Sequence, residues 1–151
     1  MSLSETDQLG LAFRFEVVID GFDLGSWSTC KGLGVTFKHK PIKELGQHAY
    51  VGWVPDRADY TKVMFQRAMK AGDWATTKAW LESVAGDGWL TTGSKANTAT
   101  VTLKDASLAE VASWTLKNAL PSAWKAPQFD ASGKAIALES LELLHEGFLD
   151  D

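Results

Sequence analysis

Alternation with a period of two constrains this chain more than any other feature. In AFRFEVVID, residues 12–20, Phe13, Phe15, Val17 and Ile19 fall on one side, and Arg14, Glu16 and Asp20 on the other. Successive side chains of a strand point to opposite faces, so this pattern predicts a strand with one buried face. Asp20-Gly21 supplies a tight turn, and a second strand is expected from Asp23 to about Lys31, punctuated by Gly32 and Gly34. TATVTLKD repeats the alternation, with Ala99, Val101 and Leu103 opposite Thr98, Thr100 and Thr102. SWTLKN follows with Trp114 and Leu116 on one side, and DASLAE between them reads as a hairpin connection.

The remaining segments are less regular. VTFKHKPIKEL is a charged, extended stretch in which Pro41 marks an edge or a break. Residues 45–59, LGQHAYVGWVPDRAD, hold two glycines and a proline with no sustained period, and read as a long connection. YTKVMFQRAM, 60–69, fits strand and helix alike and is assigned as a strand. Asp73 caps the best helix of the chain, with Trp74, Thr77, Leu81 and Val84 as its inward stripe and Gly86 or Gly88 as its end. At least five strands and one helix make the chain mainly β, an antiparallel sheet or barrel with a helix beside it.

At 151 residues and 45% hydrophobic composition, one domain spanning 1–151 is expected, with residues 1–10 as a flexible arm. Fifteen basic against nineteen acidic residues, net −4, provide no general attraction for polyanions. Cys30 is the single cysteine, which excludes an intrachain disulfide and a thiolate zinc site and suits a small buried thiol. MSLSETDQLG lacks the basic start and apolar run of a secretory signal. The early apolar stretch is broken by Arg14 and Glu16, well short of the roughly 20 residues that span a bilayer, so no membrane insertion is expected.

Signals for catalysis are poor. GLG at 32–34 lacks the third glycine of a dinucleotide fingerprint, no glycine-rich stretch ends in a phosphate-binding Lys-Ser/Thr, and His39, His48 and His145 are scattered. No nucleophile elbow is present. These readings predict no enzyme, no metal and no cofactor. Seven tryptophans raise a different prospect, since exposed indoles stack on sugars or bases. Trp53 and Trp124 lie in Pro/Gly-rich surroundings and require cover by a partner. A monomeric module binding a glycan or peptide through them is the alternative function.

Residues 118–148 carry a further signature. Asn118-Ala119-x-Pro121, Trp124, Pro127, Asp130-Ala131-x-Gly133 and AIALESLELLHEG through Gly147, in that order, resemble the closing segment of the tail-tube protein family of contractile phages and contractile injection systems. FRFEVVIDG and KGLG, within residues 13–34, resemble that family's opening hairpin. The resemblance implies a small β-barrel or sandwich with one flanking helix, assembled through a shared barrel into hexameric rings that stack inside a sheath. The chain is then either the main tube subunit or the ring that starts the tube at the baseplate.

The implied partners are further copies of the chain, a sheath protein, baseplate or spike-hub and tube-terminating proteins, and a lumen cargo of effector or DNA. The implied location is the bacterial cytoplasm during assembly, then a virion or a tail-like particle released by lysis. The resemblance makes KAIALESLELLHEG a strand, although its composition favours a helix, with Ile136, Leu138 and Ser140 on one face before a change of phase. Pro121 and Pro127 lack donors, so the stretch between them is expected to be a rigid corner holding Trp124. The candidate self-assembly residues are Tyr50, Trp53, Val54, Pro121, Trp124, Pro127, Gly133, His145 and Glu146.

Overall fold

The computed structural model describes residues 13–43, 46, 52–86, 98–127 and 137–149. Tyr50 and Gly133 lie outside these residues, as does the whole of the expected 1–10 arm. Ten strands and one helix are present among them: β1 (Arg14–Ile19), β2 (Phe22–Trp27), β3 (Thr29–Lys31), β4 (Val35–Ile42), β5 (Gly52–Tyr60), β6 (Val63–Ala68), α1 (Asp73–Gly86), β7 (Ala99–Lys104), β8 (Glu110–Leu116), β9 (Leu120–Lys125) and β10 (Leu138–Leu144). They form two antiparallel four-stranded sheets, ordered β2-β1-β7-β8 and β3-β6-β10-β9, and a separate β4-β5 ribbon.

The two sheets share one core. Val17, Ile19, Leu24, Trp27, Ala99, Val101 and Leu116 come from the first sheet, and Val63, Phe65, Leu141 and Leu143 from the second. Trp27 and Phe65 meet between them with ring centroids 6.0 Å apart. The sheets therefore pack as a sandwich with open edges rather than closing into a barrel. The one-sided alternation of β1, β7 and β8 places the expected residues inward: Val17 lies opposite Val101, Ile19 opposite Ala99, and Ala99 opposite Leu116.

Four local expectations are corrected. The strand anticipated from Asp23 to Lys31 is two strands in different sheets. The chain turns the corner at Ser28, whose backbone N–H and hydroxyl both donate to the carbonyl of Gln66, each at 2.9 Å. Residues 52–60 of the supposed long connection form β5. The Pro121 region is an edge strand and not a corner, because a proline is tolerated at an edge or a bulge and Pro121 sits at both.

The fourth correction concerns β10. Its buried face is Glu139, Leu141 and Leu143 without a change of phase, while Leu138 is exposed. Pairing on both sides overrides the helical propensity of this segment. Helix α1 begins at Asp73 as expected but buries Thr77 and Trp80, with Leu81 and Val84 partly packed on the core. Trp80, between two members of the anticipated stripe, is its main anchor.

Candidate assembly surface

The β4-β5 ribbon stands apart because neither of its faces is apolar enough to join the sandwich. Ladder pairing sets Phe37 opposite Ala58, His39 opposite Pro55, Pro41 opposite Trp53, Lys40 opposite Val54 and Ile42 opposite Gly52, with an irregularity between Phe37 and His39. Lys38 pairs with Asp59 at 3.3 Å, Arg57 with Asp59 at 3.0 Å and Lys40 with Asp56 at 3.9 Å. These exposed pairs contribute little stability. Among the charges sit large bare apolar groups: Trp53 is 65% exposed, Phe37 60%, Ile42 45% and Val54 41%. Trp53 and His39 line one shallow depression of the surface.

The base of the ribbon is locked to the end of β10. Tyr60, the last residue of β5, packs edge-on against His145 at 5.4 Å and Phe148 at 5.2 Å between centroids. The Gly147 N–H donates to His145 Nδ1 at 3.0 Å, which requires the neutral imidazole. Burial pushes His145 below its ordinary value, against the smaller opposing pull of the Thr61 and Gly147 backbone. Glu146 N–H donates to the Lys117 carbonyl and Lys117 N–H to the Gly147 carbonyl, each at 2.8 Å. Asn118 Nδ2 donates to Glu146 Oε1 at 2.9 Å. The two ends of the 118–148 segment are thus tied to each other.

At the opposite end of the same sheet lies a buried polar cluster that sequence reasoning missed. Arg67 and Glu139 face each other across the β6-β10 ladder, 3% and 0% exposed, with Arg67 Nε donating to Glu139 Oε1 at 2.6 Å. The guanidinium lies 3.8 Å over the Trp27 ring and donates from its other nitrogens to the Leu24 carbonyl and, at 3.3 Å, to Thr77 Oγ1. Trp124 Nε1 donates to Glu139 Oε2 at 2.8 Å, and its ring stacks on Trp74 at 4.4 Å.

The β1-β2 register skips Leu24, a bulge that turns its carbonyl out of the ladder toward Arg67. Gly25, at φ +83°, completes that bulge, and a Cβ there would lie 3.1 Å from the Arg67 guanidinium. Phase in the sequence could have revealed the cluster. Arg67 continues the buried alternation Val63, Phe65, and Glu139 precedes Leu141 and Leu143 in theirs.

The structure distributes the anticipated residues over three places. Trp53 and Val54 lie on the ribbon, His145 and Glu146 at its base, and Pro121 and Trp124 on edge strand β9, with Pro127 buried just beyond it. Among the described residues no three His, Cys, Asp or Glu side chains gather as a metal site. No helix among them is long and apolar enough to cross a membrane.

Residues 11–149 match the profile of the family described as T4-like virus tail tube protein gp19. The chain belongs to that family. A tail tube protein is a structural subunit of a tube, and that is the role the family gives this chain. Solved structures with the same fold include a chain of the anti-feeding prophage baseplate, 6-fold symmetrised, with 19% identity over 99% of this chain and 96% of that one, TM-score 0.69. A chain of the PVC extracellular contractile injection system sheath-tube complex in its extended state is 17% identical over 98% and 97%, TM-score 0.70. The anti-feeding prophage tube terminating cap gives 17% over 88% and 84%, TM-score 0.66. No curated sequence matches the chain.

Proposed function

We propose that this tail tube protein forms six-membered rings that stack into a hollow tube inside a contractile sheath, as the main tube subunit or the ring that begins the tube. The observation that carries this reading is the combination of unpaired edges with a bare ribbon. Among the described residues, strands β2, β8, β3 and β9 each leave one side of a ladder open, and open edges invite pairing with another chain. Identical neighbours arranged around a rotation axis can pair such edges around a closed ring.

The ribbon then serves contact between successive rings, since Trp53 and Phe37 leave large apolar groups bare on one of its faces and Val54 and Ile42 on the other. The 6-fold symmetrised baseplate structure, and the sheath-tube and cap structures that share the fold, support sheath, baseplate and terminator proteins as neighbours in the particle. The role is scaffolding and not catalysis, and the lumen is open to an effector or DNA. Assembly takes place in the bacterial cytoplasm, and the chain acts as one domain.

Electron microscopy of the purified protein, alone and with its sheath and baseplate neighbours, tests this reading. Rings with six-fold symmetry and short tubes are expected, and Trp53→Ala should leave single rings while reducing stacking. Protein that stays monomeric at high micromolar concentration beside those neighbours would overturn it.

A further inference from the structure

We propose that Arg67 and Glu139 are positioning residues for assembly, fixing edge strand β9 and helix α1 on the sandwich so that the subunit presents one edge geometry to its neighbour. The proposal rests on the ring reading above. It concerns how a subunit is made fit to join a ring, not whether rings form.

Stability alone does not account for the pair. Removing two charges from water is costly, and well-packed apolar residues of similar volume serve a core as well or better. The distinguishing property of the pair is direction. Its bonds reach β2 through Leu24, α1 through Thr77 and β9 through Trp124, while Arg67 and Glu139 themselves sit on β6 and β10. One ion pair thereby references five elements to one another.

Two of those elements have few other directional contacts to fix them. Among the described residues strand β9 pairs on one side only, its register with β10 is broken between Glu142 and Leu143, and Pro121 removes a donor there. Helix α1 is anchored by apolar Trp80, with Leu81 and Val84 partly packed, and its other fully buried residue is the Thr77 that meets Arg67. Apolar contacts tolerate sliding, whereas the indole N–H of Trp124 meets Glu139 Oε2 in one register alone. A one-residue slip of β9 would carry Trp124 to the outer face. The stack of Trp124 on Trp74 then extends the same reference to the first turn of the helix.

The experiment measures two things: hydrogen exchange of the monomer, below the concentration at which it assembles, and ring formation by sedimentation and negative-stain microscopy. The double variant Arg67→Met/Glu139→Leu should unfold cooperatively at a temperature close to wild type. Its β9 amides, those of Leu120 and of residues 122–125, should exchange roughly ten-fold faster, and rings should require roughly ten-fold more protein.

Trp124→Phe keeps both charges and an aromatic ring but loses the indole donor, and should move both readouts the same way by less. If the double variant does not fold, Trp124→Phe decides on the same two readouts. Unchanged β9 exchange, or faster exchange with rings at the wild-type concentration, overturns the proposal. Wild-type protein that forms no rings overturns the ring reading, and β9 exchange in the monomer still tests the positioning role.

Discussion

Gly147 lies so close under the ring of Tyr60 that a Cβ added to it would be 2.8 Å from Tyr60 Cε2. Its φ of +128° is also one that side chains rarely adopt. Gly147→Ala is therefore expected to destabilise the subunit by about 1–3 kcal/mol, measured by urea unfolding of the monomer. An unchanged midpoint would mean that the ribbon base and the end of β10 are not locked as described.

The neighbouring His145 gives a pH dependence of definite sign. Its folded imidazole titrates below the ordinary 6.5 because it is buried. Between those two values the unfolded chain binds a proton that the folded chain refuses. The stability that neutral His145 provides is complete above 6.5 and is lost as the pH falls through this window. Urea midpoints at successive pH values should fall more steeply for wild type than for His145→Gln, and parallel curves would contradict the prediction.

Trp124 is only partly buried but carries both a stack and a hydrogen bond. Trp124→Ala should cost an amount near the lower end of the roughly 3–5 kcal/mol typical of buried aromatics. The near-ultraviolet circular dichroism of the Trp74-Trp124 stack should vanish in this variant and equally in Trp74→Ala. A signal lost in one and kept in the other would exclude the stack as its source.

Trp53 is expected to behave in the opposite way. At 65% exposure it contributes little to the isolated subunit, so Trp53→Ala should shift monomer stability by no more than about 0.5 kcal/mol. Its effect belongs to assembled protein, and a large loss of monomer stability would place the ribbon against its own subunit.

Burial pushes the Cys30 thiol up to about 12. The thiolate is the reactive form, so a thiol reagent at pH 8 should label native protein far more slowly than protein in urea. Equal rates would show that β3 opens readily beside Phe65.

Legibility in the sequence followed the number of faces each strand buries. Strands β1, β7 and β8 have one wet face and one dry face, and their alternation located β1 and β7 nearly to the residue and β8 to within three residues of its start. Strand β5 is wet on both faces, so Trp53, Pro55 and Arg57 alternate with residues equally exposed, and no period was visible. In β10 the helical composition of LESLELL misled, and the family resemblance identified the strand that propensity did not. The Arg67-Glu139 pair escaped because a charge is read as outward, although each stands in phase with buried neighbours. Of the anticipated assembly residues, Glu146 and Trp124 are bonded within the subunit, to Asn118 and to Glu139.

The strand order of the second sheet carries a consequence for synthesis. Strand β10 emerges from the ribosome after every other strand described, yet it lies between β6 and β9. Until it is made, β9 lacks the strand it pairs with among the described residues, Arg67 lacks Glu139, and Val63 and Phe65 lack their neighbours on the β10 side. On the ring reading, a prematurely terminated chain thus has no finished edge to offer a neighbour, and the place of one late strand in the sheet order would withhold unfinished subunits from the tube.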